Sequence, residues 1–209
     1  MTLVKDDEVP VTILLTEGMV LDQQTIPNEQ SYWQMYGPEG NTTVEIHPYV
    51  QEVQVGISGI LGKISIHSPF WIIPPYPGCC PECTMRIGIA EYYDGYWNDP
   101  PDTWNYLGFA DITWQCYSGW NDAFFIDNNI FLNIGDKFII TIDGIIYTDS
   151  CMGANPDGTP YNQCLGLCVG GSYGRFGFWD CNRQSGQCEW KWWPGEQGNS
   201  LAFRSYMVI

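Results

Sequence analysis

The feature that most constrains this chain is a run of two-residue alternation between Met85 and Ile142. Met85-Arg86-Ile87-Gly88-Ile89-Ala90 is followed by an aromatic excursion, then by Leu107 to Trp114 and Ala123 to Ile142. Phe138, Ile140 and Ile142 alternate with Ile139, Thr141 and Asp143, and Asn133-Ile134-Gly135-Asp136 supplies a turn just before them. Apolar residues at spacing two, bounded by Gly, Asp and Asn, predict half-buried strands. Helical periodicity is nearly absent, so the expectation is an all-β protein.

Further alternating runs extend the pattern in both directions. Val11 to Leu15, Gln23 to Ile26, Tyr32 to Tyr36, Thr43 to Ile46, Val50 to Ile57 and Ile60 to Ile66 precede the central stretch. Tyr173 to Trp179, a hairpin or loop over Cys181 to Gly198, and Leu201 to Ile209 follow it. Short strands with short connections predict an antiparallel two-sheet β-sandwich of jelly-roll type with long Cys- and aromatic-rich loops. The 209 residues suffice for one such domain, with residues 1–49 as N-terminal strands and loops and 50–209 as the core. Ser150 to Gly170, rich in Gly, Asn and Cys, reads as irregular.

Charge narrows the functions. A formal net charge of −16, from 24 acids against 8 Lys plus Arg, repels phosphate backbones and argues against nucleic acid as a partner. No window is long and apolar enough for a membrane-spanning helix. Met1 to Glu8, with one Lys, three acids and no apolar stretch, does not read as a secretory leader. Nine cysteines nevertheless suit an oxidising compartment. Either a leader has been removed or the protein leaves its cell unaided, and both point to an extracellular, virion or cell-surface location.

Among the cysteines, Cys80-x2-Cys83 and Cys164-x3-Cys168 have spacings that zinc uses. Vicinal Cys79-Cys80, the odd total and the scatter to Cys116, Cys151, Cys181 and Cys188 fit disulfides better. Cys181 and Cys188 could close a hairpin, and Cys151 with Cys164 or Cys168 could staple the long loop. One cysteine is then left over or joins another chain.

Ten Trp and 13 Tyr exceed what one sandwich core needs. Tyr92, Tyr93, Tyr96, Trp97 and Trp104 crowd one loop, and Trp190, Trp192 and Trp193 another. Three readings compete: rings that pack loops onto sheets, rings that form a protein interface, and rings that stack on sugars beside carboxylates and amides. Asp94, Asp99 and Asp102, and separately Asn155, Asp157 and Asn162, have the oxygen-rich character of calcium loops without EF-hand spacing. No cofactor is expected; calcium ranks ahead of zinc as a metal. His47 and His67 stand apart and read as surface or hydrogen-bonded residues rather than ligands. Asn41-Thr42-Thr43 matches a glycosylation acceptor triplet.

Several stretches share a spacing: Met85 to Ile89, Leu132 to Ile142, Gly170-Gly171-Ser172-Tyr173, Phe178-Trp179, and Leu201-Ala202-Phe203-Arg204-Ser205-Tyr206. On these, residues 50–209 resemble a jelly-roll-like β-sandwich module of bacterial and archaeal surface proteins and viral structural proteins. Ser200 stands where that pattern usually has Asp, and the cysteines are additions. The resemblance implies a fold similar to carbohydrate-binding modules, without a catalytic set. The expected function is therefore a non-catalytic structural or attachment protein that contacts other subunits or itself. A secreted glycan-binding module is the alternative.

Overall fold

A computed structural model describes residues 18–35, 49–68, 83–114, 119–146, 153–154, 160–161, 165–170, 175–181, 188–193 and 200–209. Among them the regular structure is β-strand with three short 3-10 turns and no α-helix. The strands are β1 (Met19–Gln24), β2 (Pro27–Met35), β3 (Tyr49–Gln54), β4 (Gly59–Ser68), β5 (Cys83–Glu91), β6 (Tyr106–Trp114), β7 (Gly119–Phe124), β8 (Phe131–Leu132) and β9 (Lys137–Ile146). Then come β10 (Gly153–Ala154), β11 (Pro160–Tyr161), β12 (Leu165–Gly170), β13 (Phe176–Cys181), β14 (Cys188–Trp193), β15 (Ser200–Leu201) and β16 (Phe203–Val208).

Two antiparallel sheets face each other. The first runs β1-β16-β4-β7, with β8 also on β4; the second runs β14-β13-β3-β9-β5-β6. A smaller sheet, β15-β12-β2, continues from the first, and β10 pairs β11. Alternation decides what lies between the large sheets. Leu61, Ile64, Ile66, Phe203 and Met207 from the first meet Val53, Met85, Ile87, Ile89, Phe138, Ile140, Ile142 and Phe176 from the second. Each side chain of this size stabilises the fold by roughly 1.5–3 kcal/mol when fully buried.

The second sheet departs from the sequence expectation. Half-buried strands should leave their second face wet, yet Val50 and Glu52 in β3, Ile139 and Thr141 in β9, and Gly88 and Ala90 in β5 are also buried. Over Val50, Ala90 and Ile139 the cover is the 92–105 loop, which folds back on this outer face, while Tyr106 and Phe109 of β6 close over Gly88. Val50, Ala90 and Ile139 thereby join Tyr96 and Trp104 in a second apolar cluster, opposite in parity to the inter-sheet core.

Other boundaries also move. The arm read from Ala123 to Ile142 is broken into β7, a 3-10 turn at Ile126–Asn128, β8 and β9. Residues 165–170, read as irregular, form β12, where Leu165, Leu167 and Val169 do alternate. Val11 to Leu15 and Thr43 to Ile46 lie outside the described residues.

All three larger sheets meet at one corner, where β15 gives way to β16 and β1 to β2. There the Thr25 hydroxyl donates to the Leu201 carbonyl at 2.5 Å and accepts from the Phe203 N–H at 3.0 Å. Thr25 N–H donates to the Phe203 carbonyl, and His67 N–H to the Ala202 carbonyl. From the second sheet, buried Gln51 accepts the Leu201 N–H at 2.9 Å. Ladder bonds lost at the strand break are thus replaced by side chains, as buried backbone groups require.

Four cysteines fall on strands: Cys83 in β5, Cys168 in β12, Cys181 in β13 and Cys188 in β14. Cys79, Cys80, Cys116, Cys151 and Cys164 lie outside the described residues. The β13–β14 register sets Cys181 opposite Cys188. Directly opposed Cα atoms sit about 4.5–5.5 Å apart in antiparallel ladders, inside the range that a disulfide spans.

Two outcomes are expected. Gln51→Leu should cost about 1–3 kcal/mol in a denaturant titration, because it strands the buried Leu201 N–H without a partner. Oxidised protein digested without reductant should yield a peptide joining Cys181 to Cys188, absent after reduction.

Candidate functional site

The 92–105 loop is built around Tyr96. Gly95 at φ 92 admits the turn that starts Tyr96–Asn98, and Pro101 opens the second 3-10 turn, Pro101–Thr103. Glu91 N–H donates to the Asn105 carbonyl and closes the loop at its base. Tyr96, wholly buried, meets Tyr92, Trp97 and Trp104 edge-on at 5.6, 5.3 and 5.2 Å between ring centres. Trp104 Nε1 donates to the Tyr96 carbonyl at 3.2 Å, fixing the two rings together.

Trp190 joins from β14. It stacks on Trp104 at 5.3 Å, meets Trp179 edge-on at 5.0 Å, and donates from Nε1 to the Asp99 carbonyl. Two aromatic groups remote in sequence therefore form one layer on the second sheet. Tyr96 and Trp104 lie beneath it, and burial removes them from any external contact. Tyr93, at 37 % exposed, and half-buried Tyr92, Trp97 and Trp190 form its outer rim. Trp192 and Trp193 lie on β14 by their backbone.

Cations brace the rim. Arg175 lies over Trp97 at 4.3 Å, and Lys137 over Tyr92 at 4.6 Å. Lys137 also pairs with Glu52 at 2.6 Å, a hydrogen bond that holds its ammonium above the usual lysine range. Of the acids with calcium-loop character, two meet tyrosine hydroxyls. Asp94 accepts the Tyr92 hydroxyl at 3.0 Å and Asp99 the Tyr93 hydroxyl at 2.8 Å, while Asp102 is exposed. Among the described residues no three His, Cys, Asp or Glu are placed to hold one metal ion. Asn155, Asp157 and Asn162 lie outside the described residues, as does His47. His67 is buried edge-on against Trp120.

Beside the loop, and sharing Tyr92 and Lys137 with it, opens a groove of about 700 Å³ that spacing alone did not reveal. Its walls are the 128–132 and 135–137 segments, Glu91 and Tyr92 at the end of β5, and Leu107 of β6. The turns flanking it are held firmly. Asp136 accepts from the Asn133 N–H at 2.7 Å, Gly135 N–H donates to the Val55 carbonyl, and Ile134 N–H donates to Ser58 Oγ. Asn129 adopts the left-handed conformation at φ 52, which ends the 126–128 turn. Gly108 leaves room for Asn128, since a methyl there would come within 2.5 Å of its amide.

Compared with protein families, with curated proteins and with solved structures, the chain shows no match.

The tyrosines give the layer a readable signature. Partial burial, then the bond to Asp99, pushes Tyr93 up to about 12; burial drives Tyr96 higher still. The unfolded chain ionises near pH 10 while the native chain keeps these protons, so the unfolded state binds fewer. Stability should fall as pH rises from about 10 to 12. An ultraviolet titration should show late-ionising tyrosines, with Asp99→Asn bringing Tyr93 back toward 10.

Proposed function

We propose that the chain is a non-catalytic structural or attachment subunit of a virion or cell-surface assembly, working outside the cell or on a particle surface. Its partners are other protein subunits or copies of itself. The observation that carries this reading is the rim of the aromatic layer. Tyr93, Trp97 and Trp190 are partly exposed, braced from below by buried Tyr96 and Trp104, with Arg175 stacked on Trp97. Trp, Tyr and Arg are the residues that dominate protein-interface energetics, and rings already locked in place lose little side-chain entropy on docking.

The jelly-roll description belongs with this reading. Chain order supports it, because β3, β4, β5, β7, β9 and β16 pass between the two large sheets rather than filling one sheet first. Disulfides, including one from Cys181 to Cys188, would suit a particle exposed to oxidising surroundings. Among the described residues no helix is long and apolar enough to cross a membrane.

Charge sets how assembly should respond to salt. Copies carrying −16 each repel one another, and the screening length shrinks to about 8 Å at physiological ionic strength. Sedimentation velocity should therefore reveal multimers that strengthen as salt rises. Tyr93→Ala, which trims an exposed ring, should weaken association by about fivefold or more. A monomer at every salt and protein concentration would overturn the proposal.

A further inference from the structure

We infer that the groove beside the aromatic loop is a binding site for neutral oligosaccharides. The inference goes beyond subunit assembly and stands whether or not the chain multimerises.

The argument begins with shape. A volume of about 700 Å³ lies within the roughly 300–1,000 Å³ typical of small-ligand sites. The groove is partly open to solvent, so a chain of sugar rings can extend beyond it. Its walls are preformed, because the 133–136 turn is tied to Val55 and Ser58 and the 126–129 turn is seated against Gly108. A preorganised trough binds without first having to order its own loops.

The lining chemistry names the ligand. Phe131 stands 62 % exposed at the groove, a large ring with most of its surface in water. Tyr92 offers a second aromatic surface, and buried Ile130 and Leu132 line the groove with aliphatic surface. Exposed Asn128, Asn129, Glu91 and Asp136 also line the groove, Asp136 with one carboxylate oxygen already accepting from Asn133. Amides donate and accept, and carboxylates accept strongly. Apolar ring faces flanked by such groups match a sugar, whose C–H face is apolar and whose hydroxyls project around its edge.

Charge then restricts the sugar. Glu91 and Asp136 are acidic, and the one cation of the lining, Lys137, is paired with Glu52 at 2.6 Å. With −16 on the whole chain, sialylated, sulfated or phosphorylated glycans meet a repulsive field. Neutral hexose or N-acetylhexosamine oligomers do not.

The test is a titration of the intact protein with neutral tetrasaccharides of glucose, mannose, galactose and N-acetylglucosamine, alongside sialylated and sulfated oligosaccharides. Calorimetry measures affinity, and hydrogen exchange locates the ligand on the wild-type chain. At least one neutral sugar should bind with a Kd of roughly 1 mM or tighter and protect amides within 126–137. Phe131→Ala should weaken it about tenfold, whereas Phe109→Ala, another exposed ring away from the groove, should leave it within about twofold. The proposal fails if no neutral sugar binds, if acidic sugars bind better, or if protection falls outside the groove. It fails equally if Phe131→Ala binds as wild type. Measured on dilute monomer, none of these results depends on assembly, so the two readings fail separately.

Discussion

The hydrogen bonds at the Thr25–Gln51–Leu201 corner are the constraint on which this structure turns. A strand that leaves one sheet for another must interrupt its ladder, and a buried N–H or carbonyl without a partner costs about 1–3 kcal/mol. Here Thr25 serves both Leu201 and Phe203, and Gln51 reaches across from the opposite sheet to the Leu201 N–H. Because Thr25 lies between β1 and β2, the same side chain governs two strand crossings. Fixing the corner fixes how β16 enters the first sheet, and so the register that brings Phe203 and Met207 into the core.

With the inter-sheet core settled, the outer face of the second sheet becomes available for a different use. Val50, Ala90 and Ile139 would expose an apolar stripe if left bare, and the 92–105 loop covers it with Tyr96 and Trp104. Those rings do the work of a core, so loop aromatics are divided into buried supports and an exposed rim. The same anchoring sets Tyr92 and Lys137 at the edge of the groove, linking the layer to the second candidate surface.

Electrostatics on this chain is organised by its scarcity of cations. Lys63, Arg86, Lys137, Arg175 and Arg204 each lie over an aromatic ring. Three of them also pair with acids: Lys63 with Asp122, Arg86 with Asp111 and Lys137 with Glu52. The exposed Arg86–Asp111 pair contributes little to stability, since water and salt screen it. Arg86 also lies over Phe109, with its Cζ 5.7 Å from the ring centre. With 24 acids against 8 Lys plus Arg, the chain's field is negative, which favours uncharged ligands and screened protein contacts.

The residue pattern alone encodes the all-β class, most central strand positions, and the inward-facing residues of β3, β5 and β9. Two-residue alternation encodes those directly, because a side chain's face follows from its position in the pleat. It missed β12, because the Gly- and Cys-rich composition around Leu165, Leu167 and Val169 reads as loop. Tertiary structure alone decided that Tyr96 and Trp104 are buried while Tyr93 is not, and that Trp190 stacks on Trp104. It alone decided that Asp94 and Asp99 serve tyrosine hydroxyls, and that Phe131, Asn128 and Asp136 border a groove. The reason is range: alternation is a local property of the backbone, whereas a loop's cover and a groove's walls depend on contacts between residues far apart in the chain.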